Sequence, residues 1–311
     1  MGKASRTKVD VNRREKIAAQ REAARRAEQR KRILLAAGSI IVVAAVVLTF
    51  VIIKLNGKPA GSTSAQGLSN GPVGTALASV VHDVTTVPVS TSDAVGDGGG
   101  AVTAKPTSIK GTALTANGKP EMLYIGAEYC PYCGAERWAM IVALSRFGTF
   151  TGLSTVHSAV ANGAGNAEPD PDTPTWTFLH ATYSGPYLTF TPVEEFTNIP
   201  DASNGEYTLL QTPTAAQQAI VTKYAGAQGS IPFIDFGNKY MIEGASYDAG
   251  VLGQGKLSWA TIASDLHNAN SPVAKAVLGV ANYITAAICE MTGNQPASAC
   301  TPTVKSLQSQ I

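Results

Sequence analysis

Side chains that bind soft metals are scarce in this chain of 311 residues. It has 4 Cys, 4 His and 5 Met. The histidines show no ligand spacing, and the methionines do not cluster near the Cys130–Cys133 motif. Zinc sites usually need two Cys or His pairs, and copper sites favour clustered Met, His or Cys. We therefore expect no metal and no cofactor, although a copper site built from two of the cysteines and His180 remains an alternative.

Charge is also sparse, because Asp, Glu, Lys and Arg make up only 15% of the residues. Residues 1–32 nevertheless hold 12 of the 24 basic and 4 of the 22 acidic side chains, which gives +8 there and −6 in the remainder. No aromatic residue interleaves the basic ones, so nothing there can stack on bases. We expect an orientation signal beside anionic lipid rather than a nucleic-acid partner.

An uncharged run follows in residues 33–53, ILLAAGSIIVVAAVVLTFVII. Twenty-one helical residues span roughly 30 Å, which is the thickness of a bilayer core. Arg30, Lys31 and Arg32 precede it, so the positive-inside rule predicts a single-pass protein with a cytoplasmic N-terminus and an extracytoplasmic body. A cleavable signal peptide is the alternative, but its apolar core is usually shorter. No cysteine immediately follows the run, which excludes a lipid-modified N-terminal cysteine.

Composition divides the rest of the chain. Residues 54–75 are rich in Gly, Ser and Ala and predict a flexible tether. The expected organisation is a basic cytoplasmic segment (1–32), a transmembrane helix (33–53), a linker with short helices (54–104), a globular domain (105–270) and a C-terminal helix with a stapled tail (271–311).

Cys130-Pro-Tyr-Cys133 is the most informative motif. The apolar run Met122 to Ala127 predicts a buried strand, and the periodicity after Cys133 predicts a helix. A helix N-terminus stabilises a thiolate, so we expect Cys130 to be an exposed nucleophile and Cys133 a resolving thiol beneath it. A structural disulfide and half of a zinc site are the alternatives.

Cys289 and Cys300 also follow the span, and an even number of cysteines suits an oxidising compartment. The simplest pairing joins Cys130 to Cys133 and Cys289 to Cys300, the second being a structural staple. A second redox pair that exchanges with the first is the alternative.

Alternating strand and helix patterns predict a mixed α/β fold. Two predicted hairpins matter below. One joins Thr175–Tyr183 to Tyr187–Thr191, and the other joins Ile231–Phe236 to Lys239–Glu243.

AEYCPYC before a helix and SIPFIDFGNKY about a hundred residues later resemble the thioredoxin superfamily. The chain with its single span is also similar to an uncharacterised family of membrane-anchored thioredoxin-like proteins. The resemblance covers about residues 105–270 and implies a thioredoxin-like fold with an inserted β-hairpin region and a C-terminal helical extension. It implies a cis Ile231–Pro232 bond beside the cysteines, and these two residues with Tyr129 and Glu128 would bind substrate.

The sequence departs from that family in one important place. Many thioredoxins carry a buried Asp six residues before the first cysteine, where this chain has Tyr124. Glu121 and Asp235 are the candidate replacement proton acceptors, and Glu128 is expected to be exposed. The insertion at residues 150–212 could hold a substrate groove.

These observations predict a thiol–disulfide oxidoreductase acting on thiols or disulfides of exported proteins, with a membrane redox partner as a further candidate. Two alternatives are a copper metallochaperone for an envelope enzyme and a non-catalytic interaction module.

Overall fold

Seven α-helices and twelve β-strands occur in the residues that the computed structural model describes, namely 71–161, 169–201, 203–227 and 229–311. The helices are α1 (Gly74–Thr85), α2 (Val89–Val95), α3 (Pro131–Ser145), α4 (Ala215–Ala225), α5 (Trp259–Asp265), α6 (Pro272–Met291) and α7 (Pro302–Gln308). The strands are β1 (Thr107–Ser108), β2 (Thr115–Ala116), β3 (Lys119–Gly126), β4 (Thr149–Thr151), β5 (Ser154–His157), β6 (Pro174–Thr177), β7 (Thr182–Ser184), β8 (Thr189–Glu194), β9 (Phe196–Pro200), β10 (Tyr207–Leu209), β11 (Phe233–Phe236) and β12 (Tyr240–Glu243). The predicted cytoplasmic segment, the transmembrane helix and the tether up to residue 70 lie outside the described residues.

The main sheet has six strands and is centred on β3. Strand β8 runs parallel to β3, whereas β11 pairs with the other edge of β3 in antiparallel register. The sheet continues through β12 to β1, and β2 pairs with the start of β3. The expected mixed α/β fold is confirmed at this level.

Side-chain alternation along β3 divides the core between the two faces of the sheet. Met122 and Tyr124 belong to the larger apolar cluster, which also contains most of α3 and α6. Leu123 and Ile125 face the opposite way and pack in a smaller cluster with Val221 of α4. The sheet is therefore covered by α3 and α6 on one face and by α4 on the other.

Helix α6 is the long apolar element of the C-terminal region. It is the one helix in the described residues with the length and composition to cross a membrane, but most of it is buried inside the protein. Its buried residues are largely Ala, Val and Ile, and it packs against α3. A helix that is apolar on nearly all sides is typical of a core position as well as of a membrane span.

The hairpin predicted from Thr175 to Thr191 does not form. Strand β6 pairs with β5, β7 pairs with β4, and β8 joins the main sheet beside β3. Alternation identifies a strand and its buried face, but it carries no information about which strand lies alongside. The second predicted hairpin is confirmed as β11–β12, with Gly237 and Asn238 in the left-handed conformation at its turn.

Candidate functional site

Cys130 and Cys133 lie where β3 leads into α3. Cys130 is the N-cap residue of α3, and its sulfur accepts a hydrogen bond from the backbone N–H of Cys133 at 3.2 Å. Pro131 occupies the first helical turn, where its missing N–H costs no hydrogen bond. The predicted strand-to-helix position is confirmed, but both cysteines are free thiols, so the predicted Cys130–Cys133 disulfide is not formed in the structure.

Cys130 is not the exposed residue that the sequence predicts. Only 4% of Cys130 and none of Cys133 is accessible to solvent, whereas Tyr132 between them is 37% exposed. The loop before β11 contributes to this burial, because the Ile231 carbonyl oxygen lies 3.8 Å from the Cys130 sulfur. Cys130 therefore offers little accessible surface to a partner sulfur.

The pKa values of the two thiols are shifted in opposite directions. The hydrogen bond from the Cys133 side chain lowers the pKa of Cys130 most strongly, and backbone N–H groups and the charge of Arg137 add to this against the effect of burial. Burial raises the pKa of Cys133 well above its usual value, and the hydrogen bond to Cys130 raises it further. Cys130 is thus the sulfur that ionises first, and Cys133 holds the proton.

The Ile231–Pro232 peptide bond is cis, as the resemblance implies. It precedes β11, whose first residue, Phe233, lies opposite Ile125 near the end of β3. The structure therefore brings together Cys130, Cys133, Ile231 and Pro232, although they are about a hundred residues apart in the sequence.

Tyr129 connects the thiols to the segment that follows β8. Its ring stacks on Tyr207 of β10 at a centroid distance of 4.2 Å, and it also contacts Phe196 of β9. Its carbonyl oxygen accepts the N–H of Ala159. The insertion at residues 150–212 thus packs directly beside the cysteine motif through Tyr129.

Glu128 is buried, which corrects the expectation that it is exposed. Only 2% of the residue is accessible, and its Oε2 atom has no hydrogen-bond partner. Its backbone N–H donates to the Phe196 carbonyl of β9, and its side chain lies near Thr177 of β6. Burial raises the pKa of Glu128 to about 7, despite a hydrogen bond with Thr177.

A buried ion pair that the sequence analysis did not identify lies beside the thiols. Arg137 of α3 donates from Nε and Nη2 to the two carboxylate oxygens of Glu194, at 2.9 and 2.6 Å. Neither side chain is accessible to solvent. The only local signal was the charged pair Glu136–Arg137 inside an otherwise apolar helix, and nothing local indicated Glu194 at the end of β8.

The proposed proton acceptors Glu121 and Asp235 lie on the other face of the sheet. Asp235 is opposite Leu123 in the register, and Glu121 shares the Leu123 face of β3. Tyr124 lies on the thiol face instead. Both its hydroxyl group and the Cys133 sulfur lie beside Gly126. A Cβ atom added to Gly126 would be 2.1 Å from the hydroxyl oxygen and 3.1 Å from the sulfur. Glu121 and Asp235 therefore do not contact the thiols.

Comparison with known families places the site in context. A family described as Domain of unknown function (DUF929) matches residues 105–290, more than half of the chain. The chain belongs to the DUF929 family. No curated protein and no solved structure matches it.

The DUF929 match includes both thiols, the Arg137–Glu194 pair and the Ile231–Pro232 bond. It also includes Cys289, whose predicted disulfide with Cys300 is confirmed. This disulfide joins the end of α6 to the segment before α7.

The described part of this DUF929 chain contains no group of three or more His, Cys, Asp or Glu side chains that could hold a metal ion. Cys130, Cys133 and His180 therefore do not come together as the copper alternative requires.

Proposed function

We propose that this DUF929 protein is a membrane-anchored, extracytoplasmic thiol–disulfide oxidoreductase with Cys130 as nucleophile and Cys133 as resolving thiol. The observation that carries the proposal is the difference between the two sulfurs. Cys130 ionises at the N-terminus of α3, and Cys133, one helical turn further on, keeps its proton. That difference suits stepwise exchange, in which one sulfur attacks and the other waits.

We further propose a thioredoxin-like fold for residues 105–270. Three features support it: β3–α3–β8 as a strand–helix–strand order, α4–β11–β12–α5 as a helix–hairpin–helix order, and the cis Ile231–Pro232 bond beside the cysteines. The parallel pairing of β3 with β8 and the antiparallel β11–β12 hairpin agree with that order.

In the reductive direction, the Cys130 thiolate attacks one sulfur of a substrate disulfide. The substrate S–S bond breaks, a Cys130–substrate disulfide forms, and the second substrate sulfur leaves as a thiolate. Cys133 then loses its proton and attacks the Cys130 sulfur. This step releases the other substrate thiolate and leaves a Cys130–Cys133 disulfide, so two electrons pass to the substrate. The oxidative direction is the reverse sequence.

The surface around Tyr129 suits a polypeptide substrate. Five large apolar residues are exposed in the described part of the chain. One of them lies in the first turn of α3, and three lie in β9, in β10 or next to Ala159, which are the segments that contact Tyr129. These four are Tyr132, Val160, Ile199 and Leu209. Exposed apolar patches commonly mark interaction sites.

The proposed location depends on the uncharged run at residues 33–53 and on the basic residues before it. The Cys289–Cys300 disulfide supports an oxidising compartment for the body of the protein.

Trapping of mixed disulfides in cells tests the proposal. The Cys133→Ser variant of the full chain should accumulate disulfide-linked partners that disappear on reduction, because the resolving step is lost. Cys130→Ser should trap none, and the control Cys289→Ser/Cys300→Ser, which lacks only the distant disulfide, should not accumulate them either. Identical profiles for Cys130→Ser and Cys133→Ser would contradict the assigned roles.

The reduction potential of the Cys130–Cys133 pair then gives the direction of electron flow. A potential of about −120 mV would indicate an oxidant, and one of about −270 mV would indicate a reductase or isomerase. If the pair forms no disulfide at any glutathione or dithiothreitol ratio, the proposal is wrong.

A further inference from the structure

We propose that Arg137 is a positioning residue that holds a fixed positive charge under the Cys130–Cys133 pair, and that Glu194 limits how much of this charge acts on the sulfurs. The inference rests on the proposed function, because it assigns a role in controlling the thiolate that the exchange requires.

The position of Arg137 on α3 points its side chain towards the thiols. It lies four residues after Cys133, so both occupy one face of the helix, and helical side chains lean towards the N-terminus. Its Nη2 atom donates to the Ala127 carbonyl at 2.8 Å, and the same carbonyl accepts the Cys130 N–H at 3.3 Å. Arg137 is therefore one shared acceptor away from the backbone of the nucleophile.

Burial makes the charge of Arg137 effective at this distance. Arg137, Glu194 and Cys133 are inaccessible to solvent, so water screens their interactions little. The charge of Arg137 lowers the pKa of both cysteines. The guanidinium is the cation beside both sulfurs, and Glu194 is the carboxylate bound to it.

The contacts of Arg137 leave part of its guanidinium without a hydrogen bond. Nε and Nη2 bind Glu194 and Ala127, whereas Nη1 is buried and has no hydrogen-bond partner. The guanidinium carbon lies 5.8 Å from the ring centre of Tyr124, whose hydroxyl group approaches Cys133. The buried Nη1 group keeps its partial positive charge with no acceptor beside it, which is consistent with a residual positive field at the sulfurs.

The titratable groups that interact with Arg137 come from several elements. Besides Cys130 and Cys133, they are Tyr124 of β3, Glu128 of the loop before α3 and Glu194 of β8. Tyr124 stays neutral, because burial raises its pKa well above the usual value. Glu128 titrates near pH 7, so it adds negative charge only towards higher pH. Glu194 is therefore the residue to replace in order to remove the counter-charge of Arg137.

The test compares two charge changes with opposite expected signs. Glu194→Gln keeps the guanidinium and removes its counter-charge, so the Cys130 thiolate should become more stable. Arg137→Gln/Glu194→Gln removes both charges, so the thiolate should lose the dominant guanidinium and become less stable. A role in packing alone predicts no such reversal.

The measurement is the rate of Cys130 alkylation by iodoacetamide across pH, on the reduced full-length chain in detergent, with the Cys130 peptide quantified by mass spectrometry. The midpoint should fall by about 1 pH unit in Glu194→Gln and rise by about 1 pH unit in the double variant. Glu136→Gln is the matched control, because Glu136 is a buried carboxyl on the same helix that binds the Ser246 N–H rather than Arg137. It should leave the midpoint unchanged.

Midpoints that move in the same direction in both variants, or that stay at the wild-type value in folded Glu194→Gln, would overturn the inference. Arg137→Lys replaces the double variant if that protein does not fold. It retains a charge without the two-point contact, and its midpoint should remain closer to the wild type than that of Glu194→Gln. The alkylation midpoint requires no substrate. If the alkylation midpoints shift as expected but no substrate is trapped, only the proposed function is contradicted. If substrates are trapped but the midpoints do not shift, only this inference is contradicted.

Discussion

At the scale of single residues, the two fully buried tyrosines near α3 differ in one hydrogen bond. The Tyr247 hydroxyl donates to the Ala135 carbonyl at 2.7 Å, whereas the Tyr124 hydroxyl has no partner. A buried polar group without a partner loses its hydration without compensation. Tyr124 therefore carries a cost in the fold that Tyr247 does not.

Replacing each tyrosine with phenylalanine should change stability in opposite directions. Tyr124→Phe should raise the free energy of unfolding by about 1 kcal/mol, because it removes an unpaired hydroxyl, and Tyr247→Phe should lower it by about 1 kcal/mol, because it breaks a hydrogen bond. Urea unfolding followed by tryptophan fluorescence measures both. Equal losses in the two variants would mean that the Tyr124 hydroxyl has a partner after all.

Glu136 gives the folded state a pH dependence. Burial raises its pKa from 4.5 to about 7, despite the hydrogen bond from the Ser246 N–H. The folded protein therefore holds this proton more tightly than the unfolded chain does. The resulting stabilisation is complete below pH 4.5 and is lost as the pH rises towards 7, and it amounts to about 3 kcal/mol at most.

Glu136→Gln should flatten the fall in stability between pH 4.5 and 7, since Gln keeps an acceptor for Ser246 but does not titrate. At pH 8 the variant should be the more stable protein, and at pH 4.5 the two should differ little. Denaturation midpoints at a series of pH values check this. A wild-type protein whose stability rises across that range, with no change in the variant, would disprove the assignment.

At the scale of the elements, α6 and the loop after α2 approach each other backbone to backbone. A Cβ atom on Gly279 of α6 would lie 2.7 Å from the Cα atom of Gly98. In the same helix, Asn282 donates to the carbonyl oxygens of Ser92 and Gly96. These contacts tie residues 92–98 to the core helix, so residues before 105 contribute to the packed structure.

Gly279→Ala should therefore destabilise the protein by about 2 kcal/mol through overpacking, although the same change in an open helix usually stabilises. Gly134→Ala in α3 is the comparison, because a Cβ atom there would lie 3.3 Å from its nearest neighbours, side-chain atoms of Thr175, rather than 2.7 Å from a backbone atom. It should cost less than Gly279→Ala. Urea unfolding of both variants gives the order, and a reversed order would contradict the close approach at α6.

Helices and strands whose formation depends on residues close together in the sequence could be predicted. Contacts between segments far apart in the sequence could not. The passage from β3 into α3 follows from an apolar run, a proline and a helical repeat. The Arg137–Glu194 pair joins residues 57 positions apart. Buried Glu128 contacts Thr177 of β6 and Phe196 of β9, and the sequence pattern gave no sign of either contact.

At the scale of the whole molecule, two segments have the length and composition of a membrane span. One is α6, which the core buries. The other is the run at residues 33–53, which lies outside the described residues and is preceded by basic residues. Because α6 already packs against α3, the run at residues 33–53 is the segment we expect to anchor the protein.

Charges in this run should release the protein from the membrane. Wild-type protein should remain with membranes after alkaline carbonate extraction. Val43→Arg/Val46→Arg should appear in the soluble fraction, because each central arginine opposes insertion by about 3 kcal/mol. Ser62→Arg/Ser64→Arg adds the same charges to the tether and should remain membrane-bound. If the arginine pair in the run leaves the protein in the membrane, the anchor lies elsewhere. If the tether pair also releases it, added charge alone accounts for the loss.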